Sequence, residues 1–391
     1  MIQEIDVNGC TVKMWAEDLN GHAMDEVQNI ASLPFIFKHI ALMPDVHAGK
    51  GMPIGCVLAT KNVVIPNAVG VDIGCGMCAV KSNIKMKQLP PEILRKQIMR
   101  GIRKRIPLGR EHHKKAQDES LMPQFENIGD LTVVQRKYNS ALKQIGTLGG
   151  GNHFIELQRD TEDNLWVMIH SGSRNLGSEV CNYYDEKAKN LNALFHSKVS
   201  ADMNLAFLPM QMDVAKQYWA EMEYCVAFAH ANRNLMIQRI QEIIRDSFPD
   251  VSFDPTINIA HNYAAWENHF EEKVIVHRKG AVHAGLDEIG IIPGSQGTKS
   301  YIVRGLGNVD SFCSSSHGAG RALSRTEACN ILSLEEEKAH LDSLGIVHAV
   351  RYQQDLDEAT GAYKDIHVVM KNQEDLVQAV VELSPIAVIK G

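Results

Sequence analysis

Nothing in the 391 residues is apolar for long enough to cross a bilayer, and residues 1–30 mix polar and apolar side chains without a signal-peptide core. A soluble cytoplasmic protein is therefore expected. Cysteine is sparse. The eight, at positions 10, 56, 75, 78, 181, 225, 313 and 329, are too scattered for a disulfide framework, so reduced thiols are expected. Positive charge has no surplus either: 40 Lys and Arg against 47 Asp and Glu leave a net charge of −7. That excludes a protein cationic all over, while leaving room for a local basic patch. Internal repeats, low-complexity runs and linkers are also missing. With 45% hydrophobic residues to bury, the chain is expected to form a single α+β domain over residues 1–391.

What the chain does have is glycine beside metal-binding side chains. Val69-Gly70-Val71-Asp72-Ile73-Gly74-Cys75-Gly76-Met77 sets a carboxylate and a thiol three residues apart among three glycines. A buried strand would be weakened by each glycine, so the stretch reads as a tight loop presenting a hard oxygen and a soft sulfur to one place. Imidazoles to complete such a site stand at loops or strand ends elsewhere. His153 follows the glycine loop Gly146–Gly151, His170 ends the apolar run Leu165–Ile169, and His261 ends Thr256–Ala260. Asp72, Cys75, His153, His170 and His261 exceed one tetrahedral set. If they converge, they could hold two ions with the sulfur shared, a clamp suited to phosphoryl or nucleotidyl transfer. Thiolate and imidazole ligands by themselves favour zinc. Cys75-Gly76-Met77-Cys78 also spells a C-x-x-C redox pattern, but without the βαβ context that reading needs. No Gly-Lys-Ser/Thr follows Gly146–Gly151, so it is not a Walker loop. Its backbone N–H groups beside Arg174 still make an anion cradle.

Residues 1–83 read as short β segments, with a turn over Pro44–Gly51 that carries Asp45 and His47. Pro91 opens a helical pattern through Ile93, Leu94, Ile98, Ile102 and Ile106. Its other faces carry Arg95, Lys96, Arg100, Arg103, Lys104 and Arg105, with Arg110 to Lys115 beyond. This is either an ordinary solvated face or the chain's grip on a phosphate backbone. Residues 201–248 form the longest helical stretch, a buried core helix or helix pair in which Cys225 and His230 are structural. Short β segments return after Thr256, with His277 closing the segment Lys273–Val276, and Ser333 caps an acidic helix that runs to Leu344-Gly345.

VGVDIGCGM, DVHAGKG, GGGNHFIE, HSGSR, HNYA, HRKGA, PGSQGT, SHGAGR and a terminal KG closely resemble motifs of the RtcB family of RNA ligases, over essentially the whole chain. The resemblance implies an RtcB-like fold, a β-sheet core lining a deep metal and nucleotide pocket with helices around it. It implies two manganese ions on Asp72, Cys75, His153, His170 and His261, bridged by Cys75, with zinc an inhibitory or adventitious occupant. It makes His317 the nucleophile that takes up GMP from GTP. It places guanine-nucleotide contacts on Asn152, His153, Phe154, Ile155 and Glu156, on Pro293, Gly294, Ser295 and Gln296, on Ser300, on His317, Gly318, Ala319 and Gly320, and on Lys390. Arg174 becomes a contact for the RNA terminal phosphate.

The implied activity is GTP- and Mn²⁺-dependent joining of RNA 2′,3′-cyclic phosphate or 3′-phosphate ends to 5′-hydroxyl ends, in tRNA splicing or RNA repair. Some members use the small protein archease as an activator. Asp45, His47, His277 and Lys279 rank below the metal set and read as hydrogen-bonding supports of the site or as RNA contacts, with a purely structural role equally open for His277. Val282 and Gln296 stand where the family's motifs carry Thr and Met, which opens the reading of a divergent paralogue devoted to repair. Two other readings compete: a metal-dependent RNA cyclic phosphodiesterase without sealing activity, and a non-catalytic RNA binder built on Arg95 to Lys115. Intact SHGAGR and Lys390 argue against the first, and the full metal set against the second.

Overall fold

The computed structural model describes residues 1–125 and 128–391. It is of the α+β class, built on two large sheets. The first has the order Gln3–Val7, Cys10–Met14, Ile36–Lys50, Met52–Thr60, Glu272–Lys279, Asn262–His269. Every neighbouring pair is antiparallel except Cys10–Met14 against Ile36–Lys50. A parallel pair needs a crossover, and helix Gly21–Ala31 supplies it. Asn20 caps that helix, accepting from the Ala23 N–H at 2.8 Å, and Ala23, Val27, Ile30 and Ala31 bury its inner face. The sequence reading holds only strands in this region, so the helix is an addition to it.

The Pro44–Gly51 segment also differs from expectation. Residues up to Lys50 continue the strand, and the chain reverses at Gly51, whose φ of +78° glycine tolerates. Pairing with Met52–Thr60 slips on either side of His47. Pro44, with no N–H to give, sits where the ladder is broken, which frees Asp45 from regular pairing before His47 pairs again with Ile54.

The second sheet is antiparallel throughout, in the order Ile257–Ala260, Gly76–Lys85, Asn164–Ser171, Phe154–Asp160, Val377–Lys390, Ser300–Gly305, Ile289–Ile292. Its two outer strands approach one another, so the sheet curls almost closed. The period of two sorts its residues. Met77, Ala79, Phe154, Trp166, Met168, Ile302 and Leu383 pack inside, while Cys78, Val80, Ile155, Leu157, Val167 and Ile169 face outward. The outward row meets Met236, Ile240, Ile243 and Ile244 of the 35-residue helix Asp213–Ser247. The expected core helix is present but begins at Asp213 rather than 201, because Ala201–Met203 forms a 3₁₀ turn and Leu208–Pro209 a short strand. Truncating one of these buried isoleucines to alanine costs about 2–5 kcal/mol.

Pro91–Ile93, Leu94–Met99 and Arg100–Arg105 form one helical run, with a π turn in the middle. Leu94, Ile98 and Ile102 are buried beneath it as the spacing predicts. Leu334–Ser343 is capped by Ser333, again as expected. Among the described residues, no helix is long and apolar enough to cross a membrane.

Candidate metal centre and nucleophile pocket

One end of the curled sheet gathers the imidazoles. His170 lies near the end of Asn164–Ser171, paired across the ladder with Phe154 on one side and Met77 on the other. Phe154 places His153 at the rim, and His261 occupies the single residue between Ile257–Ala260 and Asn262–His269. The Asp72–Cys75 loop closes on itself, the Cys75 N–H donating to the Asp72 carbonyl at 3.0 Å. It is stitched to the His261 segment, because Gly74 N–H donates to Asn262 O and His261 N–H donates to Cys75 O, both at 2.8 Å. Gly74 has a φ of +75°, and a Cβ there would lie 2.8 Å from the Val226 Cα. Only glycine lets this loop approach the long helix so closely.

The five sequence-predicted ligands come together. Cys75 Sγ lies 3.2 Å from His170 Nε2 and 3.5 Å from His153 Nε2, and the latter is 3.0 Å from Asp72 Oδ2. His170 Nε2 is 3.4 Å from His261 Nε2. The sites of the protons follow from the other ring nitrogens. His153 Nδ1–H donates to Leu148 O and His170 Nδ1–H to Asn152 O, both at 3.0 Å, so each Nε2 points a lone pair inward. Lone pairs, a sulfur and a carboxylate facing one another repel unless a cation sits among them.

The ionisation states agree with a cation there. Burial, then the nearby histidine charges, pushes His170 and His261 well below the usual imidazole range, leaving neutral rings. Burial, reinforced by Asp72, pushes the Cys75 thiol well above its usual range, so a coordinating cation is what would make it a thiolate. Burial alone would raise Asp72, but its contact with the His153 ring and the charge of Arg174 outweigh it and hold the carboxyl at about 2. The donor set fits one or more divalent metal ions, and Cys75, His153 and His170 form its tightest triplet.

His317 continues the row. The ring centroids of His153 and His170 are 5.2 Å apart, those of His170 and His261 5.2 Å, and those of His261 and His317 4.8 Å. Its Nδ1 lies 2.6 Å from Asp45 Oδ2, which also accepts from the His317 and Gly318 N–H groups at 3.0 and 3.3 Å. Asp45 is fully buried, and Lys364 secures its backbone by donating to Pro44 O and Val46 O. His47 also faces the site with Nδ1 on Asp45 O, burial holding the ring at about 4 and therefore neutral.

A cavity of about 570 Å³ opens onto His317 and His170. Of the expected nucleotide contacts, Asn152, Phe154, Pro293, Gly294 and His317 to Gly320 line it, together with His47, Arg321 and Tyr363. Gln296 and Lys390 line a neighbouring cavity of about 210 Å³ with Glu358. Glu156 lies buried inside the sheet, accepting from Gln158, which also reaches Ser300; burial raises its carboxyl to about 8 against the hydrogen bond from Gln158 and the Lys390 charge. Ser295 is held by Thr298, and the Ile155 side chain faces the helix on the outer side. Arg174 lies along the glycine loop, donating to Thr147 Oγ1 and Gly109 O.

Two expected supports prove to be internal ties. His277 sits within Glu272–Lys279, its Nδ1–H on Leu58 O and its Nε2 accepting from the Ile65 N–H. Lys279 donates to Lys50 O and Met52 O, both at 2.8 Å, and pins the reversal at Gly51. Sequence reasoning missed Glu358, a buried carboxylate shared by Arg321, Arg325, Lys390 and the Tyr363 hydroxyl. No motif or spacing around it signals that role.

Comparison with known proteins fits this site. The model of the tRNA-splicing ligase RtcB family matches residues 26–391. The chain is 38% identical to the RNA-splicing ligase RtcB of Escherichia coli K12, over 97% of each chain. It is 31% identical to the tRNA-splicing ligase RtcB of Methanococcus maripaludis, over 96% of this chain and 92% of that one. A protein of the same name from Thermococcus kodakarensis is 30% identical, over 94% and 91% respectively. Matched along nearly its whole length, with its ligand-type residues gathered at one end of a curled sheet, the chain belongs to the RtcB family.

Proposed function

We propose that the protein is a GTP- and Mn²⁺-dependent RNA ligase that seals 2′,3′-cyclic phosphate or 3′-phosphate ends to 5′-hydroxyl ends through a GMP–His317 intermediate. One observation carries the reading: the His317 ring stands beside the Cys75–His153–His170–His261 row with its Nδ1 on a buried carboxylate. That leaves Nε2 as a lone pair at the cavity, the atom a nucleophile needs. Asp45 holds the proton on Nδ1 and balances the positive charge the ring acquires as it attacks.

In the proposed sequence, His317 Nε2 forms a bond to the α-phosphorus of GTP while the bond to pyrophosphate breaks. A 3′-phosphate oxygen of the RNA then displaces His317 and takes the GMP. Finally the 5′-hydroxyl oxygen bonds to the 3′-phosphorus, losing its proton, and GMP leaves. Water opens a 2′,3′-cyclic phosphate before the second step. Asp72, Cys75, His153, His170 and His261 would hold two manganese ions, which when bound neutralise charge on the reacting phosphates. The N–H groups of Ala319 and Gly320, with Arg321 and Lys390, bind and orient the nucleotide, and Arg174 receives the RNA terminal phosphate. The surface of Pro91–Arg105 carries Arg95, Arg100, Arg103 and Lys104 exposed and without a carboxylate partner among the described residues. The segment that follows joins the glycine loop through Gly109 N–H to Gly149 O, so an RNA backbone held there leads to the site.

Incubating the protein with GTP and Mn²⁺ tests the reading. A mass increase of one GMP is expected on the wild type and none on His317→Ala. A wild type without the adduct removes the ligase reading. A hydrolytic enzyme that merely opens cyclic phosphates has no need of a guanylylated histidine, so it would show no adduct.

A further inference from the structure

The long helix Asp213–Ser247 buries an apolar stripe that includes Ala229, Met236 and Ile240, yet Asn232 and Arg233 interrupt it, both fully buried. Apolar residues would fill these positions without the cost of desolvating an amide and a guanidinium. Among the described residues, no carboxylate pairs with Arg233. Core packing does not account for the two residues, so their hydrogen bonds must.

Those bonds run to four segments, each bearing a proposed metal ligand. Arg233 Nη1 donates to Gly74 O at 2.8 Å and to Ser171 O at 2.9 Å, the carbonyls adjoining Cys75 and His170. Its Nε donates at 2.7 Å to Asn258 Oδ1, in the strand that leads into His261. Asn232 Oδ1 accepts from the N–H groups of Gly146 and Thr147, and its Nδ2 donates to Thr147 O, Ser171 Oγ and Gly172 O. Ser171 Oγ donates in turn to Leu148 O at 2.6 Å, the carbonyl that fixes the His153 ring. A helix is the stiffest element available, and consecutive residues on it project from neighbouring positions of one frame. Loops rich in glycine have no such stiffness of their own.

We propose that Asn232 and Arg233 are positioning residues that set the spacing of the metal donors from behind, so that Cys75, His153, His170 and His261 are arranged before any ion arrives. The inference rests on the reading of these side chains as a metal centre, and deepens it. Groups behind metal ligands typically govern affinity by 10–100-fold when removed, and preorganisation is the means here.

Cobalt(II) alone, titrated into the full-length metal-free protein and followed by visible d–d and thiolate absorption, tests this without reference to ligation. Arg233→Met and Asn232→Ser are expected to bind cobalt about 10–100-fold more weakly and with altered d–d bands. Arg233→Lys, which keeps a donor for one carbonyl, falls between them and the wild type. Ile240→Ala is the control: it loosens the same helix without touching the loops, and should melt lower while keeping wild-type affinity and spectrum. If Arg233→Met does not fold, Asn232→Ser and Arg233→Lys carry the comparison. Wild-type affinity and spectrum in the Asn232 and Arg233 variants would overturn the inference. So would an Ile240→Ala protein that lost affinity in proportion to its melting temperature. A wild type that binds no cobalt overturns the metal reading and this inference together, whereas normal wild-type binding with unaffected variants overturns this inference alone.

Discussion

His170 and His317 stand in the same row of rings but are held by different partners. The Nδ1 of His170 meets a backbone carbonyl, and that of His317 meets a buried carboxylate. A carbonyl fixes the tautomer and no more; a carboxylate also stabilises the ring when it becomes positive. The first arrangement suits a ligand that stays neutral, the second a nucleophile that must carry charge for part of each turnover. His277 shows a third case. Both its nitrogens are satisfied inside the protein, so it has nothing left to offer a substrate. Whatever holds the far nitrogen thus assigns the near one its work.

The contrast is open to experiment. The largest effect is expected from His317→Ala, which should abolish the GMP adduct while leaving cobalt binding intact. Asp45→Asn should slow adduct formation by about 10²–10⁴-fold, measured as the rate of label transfer from GTP. If the rate barely changes, the carboxylate is only a tether and the contrast with His170 collapses. Next comes Cys75→Ser, expected to weaken cobalt binding by more than the roughly 10–100-fold that a residue behind the ligands commands. The Asp45–His317 bond should survive that change, as an undisturbed His317 NMR signal would show.

A fourth prediction concerns pH. Burial holds His277 at about 4, below the 6.5 of an exposed ring. Between those values the unfolded chain binds the extra proton and the folded one does not. Stability is therefore fully present above about 6.5 and declines as pH falls towards 4, by about 3 kcal/mol for this ring. Urea unfolding at pH 7, 5.5 and 4.5 should show a shallower decline in His277→Gln than in the wild type; parallel curves would refute the assignment. The smallest effect is expected at the surface. Neutralising Arg100, Arg103 and Lys104 should flatten the salt dependence of RNA binding by about 2–3 in log–log slope, and an unchanged slope would return that helix to an ordinary solvated face.

Much of this was legible in the sequence where chemistry and local geometry coincide. Asp72, Cys75, His153, His170 and His261 each stand at a loop or strand end, several of them beside glycine, and that local signature needs no knowledge of the fold. The stripe through residues 213–247 announced its helix by periodicity. Less local facts stayed hidden. Asp45 acquires its role from a residue 272 positions away, and the slipped pairing that frees it for His317 depends on the partner strand. Asn232 and Arg233 fell within an apolar stripe and were absorbed into it. Glu358 has no motif around it, and its importance comes from four side chains converging in space.

The position of Val377–Lys390 has a consequence for biosynthesis. Although late in the chain, this strand lies in the interior of the seven-stranded sheet, between Phe154–Asp160 and Ser300–Gly305. Until it emerges from the ribosome, both neighbours present bare edges, and the seam of the sheet has nothing to fill it. A working enzyme cannot assemble before this strand has been made, so a polypeptide truncated ahead of Val377 should be sticky and inert rather than partly active.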